Sequence, residues 1–338
     1  MQRRVWLLAL LIIALAASLG WAGGETEKEV KQTSLLLNWK ILGDHAPYFV
    51  ALEKGWYAEE GLEVDIMLGK GSGFSVQSVD TEKVDFAIAD TAVAVSGRTK
   101  GAKVKVVSML FAKSSNCMHF WKDSGIEHPR DLVGKKVGVP PTDTQKVMFP
   151  AFAKIIGIDP NDVTFVNIDP AAKTAAIGQK KVDVIFDYYT GRPFHEKAVP
   201  PDQLVSLLWA DYGFKAYSNA IITSDALIEK DPDLIKRFLK ASLKGWQFTL
   251  ENPEEAIAIL AEYHTIKQED YLANLMLVME LFRDDSYKKH GIGYIDEETM
   301  ASTMDLIDRF MGVDVDFSTS DMYTNDFLPR PGIKLPKF

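Results

Sequence analysis

Five short stretches of this 338-residue chain gather side chains able to hold or transform a small molecule, and each follows an apolar run. The first holds Asn38 and Trp39, with Asp44, His45 and Tyr48 just beyond. The second is Gly69-Lys70-Gly71-Ser72-Gly73-Phe74, the third Asp90-Thr91, the fourth Thr142-Asp143-Thr144-Gln145 and the fifth Asp187-Tyr188-Tyr189-Thr190-Gly191-Arg192. An indole face stacks on planar rings. Amide, hydroxyl and carboxylate groups read heteroatoms, and a guanidinium favours carboxylate, sulfonate or phosphate. These residue types suit contact with a small polar ligand, with Trp39 offering a face for a planar one.

The glycine stretch imitates a dinucleotide fingerprint, but Phe74 stands where the third glycine belongs, and the fingerprint normally occupies the first strand–helix turn. It is read as a tight turn whose backbone lets Gly71 and Ser72 approach a polar ligand. Asp90-Thr91 and Thr142/Thr144 also suit helix caps, so capping and ligand contact both remain open for them. His45 stands next to Asp44 at a helix start, where a cap and a ligand contact are again both open. No Gly-x-Ser-x-Gly, His-Glu-x-x-His or Walker pattern occurs. Cys117 and His119 share one face of a strand, but no third orienting group accompanies them. Neither enzyme activity nor a cofactor or metal site is expected.

The elements that must position these residues alternate. Strand-like runs at 34–37, 62–68, 86–89, 104–110, 136–139, 163–167 and 182–186 are separated by amphipathic stretches, which predicts a largely parallel sheet with crossover helices. From Asp225 onward the pattern becomes helical, with Asp231-Pro232 and Asn252-Pro253 as helix starts. Met1-Gln2-Arg3-Arg4, an apolar run from Val5 to Ala17, and small residues at Gly20 and Ala22 fit a secretory signal peptide, 1–22, expected to be cleaved, with an uncleaved anchor as the alternative. A net charge of −9 argues against nucleic acid or anionic membrane as a partner. Cys117, the one cysteine, cannot form an internal disulfide.

The wording and order of several segments resemble a known family. These are His45-Ala46-Pro47-Tyr48, Lys54-Gly55-Trp56-Tyr57, Glu60-Gly61-Leu62-Glu63-Val64, Val84-Asp85-Phe86-Ala87-Ile88-Ala89, the run from Asp131 to Val139, and Tyr323-Thr324-Asn325-Asp326-Phe327. Together they resemble the substrate-binding proteins of ABC importers in the thiamine-pyrimidine-precursor, sulfonate and nitrate group, which share their fold with fungal thiamine-pyrimidine synthases. The resemblance implies an α/β, two-lobed periplasmic-binding-protein fold of the two-crossover type with a helical C-terminal tail. Lobe 1 would comprise 32–112 and 214–338, and lobe 2 113–213. It implies a periplasmic, monomeric receptor that closes on a small planar heterocycle and meets an ABC permease in the inner membrane. An aromatic carboxylate or sulfonate is the alternative ligand, and an exported enzyme on the same fold the alternative from another class. The expected ligand set is Asn38, Trp39, His45, Tyr48, Gly71, Ser72, Asp90, Thr91, Thr142, Thr144, Asp187, Tyr188 and Arg192, with Trp39 and Tyr188 sandwiching the ring. The synthases' cysteine-rich segment is missing. Gly191-Arg192 stands where the pyrimidine receptors would carry Asn-Glu, which points Arg192 toward an acidic ligand.

Overall fold

The computed structural model describes residues 30–336 except Ala112, Arg283, Asp284 and Val313. The segment 1–22, expected to be a signal peptide, lies outside the described residues. Among the described residues, ten strands form two five-stranded sheets. The first contains β1 (Lys31–Leu36), β2 (Leu62–Met67), β3 (Phe86–Asp90), β4 (Val104–Met109) and β10 (Asn219–Ser224), in the order β2-β1-β3-β10-β4. The second contains β5 (Asn116–Trp121), β6 (Lys136–Val139), β7 (Thr164–Asn167), β8 (Val184–Tyr188) and β9 (Leu204–Leu208), in the order β7-β6-β8-β5-β9.

The two sheets repeat one design. In each, three strands run parallel, and a fourth enters antiparallel between the third and the edge strand. That inserted strand is the first one after a crossing, β5 on the way out and β10 on the way back. The sheets are therefore mixed rather than largely parallel. The crossing segments hydrogen-bond to each other, Leu110 and Phe111 N–H donating to the Asn219 carbonyl and Ser218 N–H to that of Phe111. This pairing ties the two crossings into short adjacent strips of backbone.

Aromatic layers fill each lobe. Phe86 stacks on Phe238 at 4.0 Å under the first sheet, and Trp209 stacks on Phe152 at 4.3 Å under the second. Such pairs contribute about 0.5–1.5 kcal/mol beyond burial. The tail is helical, as its starts imply: Asp231 caps Pro232–Glu251 by accepting from Leu234 N–H at 3.1 Å. Helices Pro253–Tyr263, Gln268–Leu281, Asp285–His290 and Glu297–Met311 follow. Among the described residues, no helix is long and apolar enough to cross a membrane.

Candidate functional site

The carboxyl ends of β1, β3, β6 and β8 face one another across the lobes, where open α/β sheets place ligands. The cleft there is lined from lobe 1 by Asn38, Trp39, Lys40, Leu42, Gly71 and Ser72. Lobe 2 presents an acidic and hydroxylic wall built on Asp143, Thr144, Gln145, Lys173, Asp187, Tyr188 and His195.

The lobes are closed on each other. Ser72 Oγ and Thr144 Oγ1 are 2.8 Å apart, Thr142 Oγ1 donates to the Lys70 carbonyl at 2.8 Å, and Gly73 N–H donates to the Thr142 carbonyl at 3.2 Å. Gly71 makes this approach possible: its φ is +111°, and a Cβ there would stand 2.6 Å from the Thr142 oxygen. Tyr188 spans the gap, its Oη donating to Asn219 Oδ1 at 2.9 Å while lying 3.1 Å from Thr144 Oγ1 and 3.4 Å from Asp90 Oδ2. Burial raises the Tyr188 hydroxyl well above its usual range, so it remains a donor.

On lobe 1 the turn after β1 sets the polarity of Asn38. His45 Nδ1 accepts from Leu42 N–H at 3.0 Å, so Nε2 carries the proton and donates to Asn38 Oδ1 at 3.0 Å. That leaves the Asn38 NH2 as the end available to a ligand. Burial lowers the His45 pKa, with Asp44 opposing, which keeps the ring in this neutral form.

The floor on lobe 2 is a buried charge cluster. Lys173 Nζ lies 2.8 Å from Asp143 Oδ2, 3.3 Å from Asp187 Oδ1 and 4.7 Å from the Trp39 ring centre. His195 Nε2 donates to Asp187 Oδ2 at 3.0 Å. Burial would raise the Asp187 carboxyl, but Lys173 and then His195 pull it far below the usual range, so it stays ionised. Burial would lower Lys173, and its two carboxylates more than reverse that. Burial raises Asp143, with Lys173 offsetting part of the effect. Asp90 rises to about 7 because burial outweighs its bonds from Ala92 N–H, the Ser218 hydroxyl and Val93 N–H.

Among the residues expected to bind, Asn38, Trp39, Gly71, Ser72, Thr144, Asp187 and Tyr188 all line this cleft. Asp90 and Thr142 stand just behind it and at its rim, through the bonds above. His45 acts one shell back, on Asn38. Thr91 is turned inward, its hydroxyl donating to the Ser218 carbonyl at 2.7 Å. Tyr48 belongs to the lobe 1 core, where its Oη accepts from Trp246 Nε1 at 3.3 Å. Arg192 points away from the cleft: it pairs with Glu196 at 2.7 Å and donates to Ser206 Oγ at 2.8 Å and to the Pro201 carbonyl at 3.1 Å. It opens the helical turn Arg192–His195, and that turn carries His195 rather than Arg192 to the ligand side. Lys173, and not the Tyr188 ring, lies over the Trp39 face. Cys117 and His119 are buried in β5, burial raising the thiol and lowering the imidazole to about 3.

Sequence reasoning missed Lys173, Asp143 and His195 as site residues. One signal was present for Lys173: it begins the helix Lys173–Gly178, where the helix dipole disfavours a cation.

The sequence profile described as NMT1/THI5 like matches residues 43–256. The chain belongs to that family. It is 26% identical to the riboflavin-binding protein RibY of Chloroflexus aurantiacus over 97% of this chain and 99% of the relative. It is 24% identical to the formylaminopyrimidine-binding protein of Halalkalibacterium halodurans, over 74% and 76% of the two chains. The family also contains enzymes: a 4-amino-5-hydroxymethyl-2-methylpyrimidine phosphate synthase of Legionella pneumophila is 26% identical over 88% of this chain and 92% of its own. Among solved structures, a Candida albicans protein described as having the generic periplasmic binding protein fold superposes with a TM-score of 0.66 at 16% identity, covering 91% of this chain and 98% of that one. The fold of this NMT1/THI5-like chain is thus the two-lobed periplasmic-binding-protein fold.

Proposed function

We propose that this chain is the extracytoplasmic receptor of an ABC importer and that it clamps a small amino-substituted nitrogen heterocycle, of the pyrimidine-precursor type, between its lobes. One observation carries the ligand class. The Asn38 amide, locked NH2-outward by His45, stands beside the Trp39 indole and faces the ionised Asp187 on the other lobe. A donor for ring nitrogen, an acceptor for an exocyclic amine and an aromatic face match such a ring. The aromatic carboxylate or sulfonate reading loses its main support, because Arg192 is turned away and Lys173 is already paired with two carboxylates. Binding, not turnover, is the reading for this family member, since its cysteine is a buried, un-ionised thiol. A flavin is the second reading, favoured by the nearly full-length similarity to RibY.

The test is calorimetric titration of formylaminopyrimidine, 4-amino-5-hydroxymethyl-2-methylpyrimidine, riboflavin, benzoate and an alkanesulfonate into the wild type and Trp39→Ala. An aminopyrimidine is expected to bind, and Trp39→Ala to weaken it about tenfold, the equivalent of roughly 1.4 kcal/mol. Binding of only the acids or the sulfonate would overturn the proposal.

A further inference from the structure

Helix Gln268–Leu281 belongs to the tail, yet one of its faces touches both lobes at the cleft. Asn274 is fully buried there. Its Oδ1 accepts from Gly43 N–H at 2.7 Å, and its Nδ2 donates to the Thr190 carbonyl at 2.6 Å. The orientation of the amide is not a matter of choice: a backbone N–H requires the oxygen and a carbonyl requires the NH2. Gly43 closes the turn that follows Asn38 and Trp39, and Thr190 lies in the cleft-lining loop that follows Asp187 and Tyr188. A single side chain therefore holds one binding loop from each lobe.

Neighbouring residues reinforce the junction. Tyr271 meets Phe194 of lobe 2 edge to face at 5.1 Å, and Asp270 pairs with Lys197 of lobe 2. Residues 270, 271 and 274 share a helix face. Gly43 is packed so closely that a Cβ would collide with the Tyr271 carbonyl oxygen and with Asn274 Oδ1, so the turn has no slack against the helix.

We propose that Asn274 is a positioning residue for closure: it fixes the lobe 1 binding turn to the tail helix and grips the lobe 2 loop only when the cleft shuts. It touches no ligand itself. The proposal rests on the closing-receptor reading above, but not on which ligand is bound. Asn274→Asp is the discriminating change, because the carboxylate still accepts from Gly43 N–H while presenting an oxygen to the Thr190 carbonyl. The closed-to-open ratio is expected to fall by about tenfold or more, given the usual cost of an unsatisfied buried group.

Spin labels at Lys236→Cys in lobe 1 and Asp202→Cys in lobe 2, both exposed positions, report lobe separation without ligand, and buried Cys117 stays unlabelled. Electron–electron distance measurements should show a longer-distance population in Asn274→Asp and Asn274→Ala that is minor in the parent. A residue that merely stabilised the tail would lower the melting temperature and leave the distances alone. If Asn274→Asp does not fold, Phe194→Ala/Lys197→Glu loosens the same junction from lobe 2 and should open it too. Distance distributions identical to the parent in the folded variants overturn the proposal. Ligand identity does not enter the measurement, so a failed heterocycle titration leaves its outcome intact.

Discussion

Replacing Lys173 with methionine tests the charge cluster on which the cleft floor rests. Lys173 is 2% exposed and serves the buried carboxylate of Asp143 at 2.8 Å and the partly exposed one of Asp187 at 3.3 Å. Methionine keeps most of the volume but leaves two acids facing each other without a cation. Removing one partner of a buried pair costs about 3–5 kcal/mol. At about 2–4 °C per kcal/mol, this lowers the melting temperature by roughly 6–20 °C at pH 8. The pH dependence gives the sharper signature. In the wild type Asp187 is held below its unfolded pKa, so its contribution is present above that pKa and is lost as the pH falls. In Lys173→Met burial acts unopposed by the ammonium and raises both carboxyls, so the deficit should shrink as the pH falls through their new values. Calorimetric melting of both proteins at pH 8 and pH 5 is the assay. A variant that melts within about 2 °C of wild type at pH 8, or whose deficit is the same at both pH values, would show that the ion pairs do not carry the floor.

Arg192→Ala should leave affinity for the cognate ligand within about twofold while lowering stability by about 1.5–3 kcal/mol, because its bonds go to Glu196, Ser206 and Pro201; a large loss of affinity in calorimetry would put the guanidinium back at the site. Burial raises the folded Asp90 pKa to about 7, so its charge penalty is complete above pH 7, shrinks as the pH falls below 7 and is gone only below the unfolded carboxyl value of about 4. Asp90→Asn should therefore melt higher than wild type at pH 8, with the gap narrowing by pH 6, and a gap that does not narrow would count against the assignment.

Much of the architecture was legible because its signals are local. The seven strands read from apolar runs are present, and the tail helices begin at the Asp-Pro and Asn-Pro steps that announce them. The three strands without a clear signal are β5, β9 and β10. β10 is buried along its whole length and β5 along all but its last residue, so neither shows alternation. Both are placed by pairing partners distant in sequence. At the site, residues at strand ends were legible from their position, as Asn38, Trp39, Asp187 and Tyr188 illustrate. Arg192 was misplaced because one turn of helix decides which way a side chain points, and no composition rule encodes that turn. Lys173 carried only its helix-start signal and Asn274 none, since both are placed by partners elsewhere in the chain.

The inserted strands also set an order of assembly. Lobe 2 is a continuous stretch whose sheet is complete once β9 has been made, at Leu208. In lobe 1, β3 and β4 do not pair with each other; each bonds only to β10 at that junction. Until Asn219–Ser224 has left the ribosome, β4 has no place in its sheet, and the segment made first is finished last. Loop closure over the intervening lobe precedes any reward from pairing. A released fragment ending at residue 218 would thus hold a complete, protease-resistant second sheet joined to a soft first lobe that lacks β10.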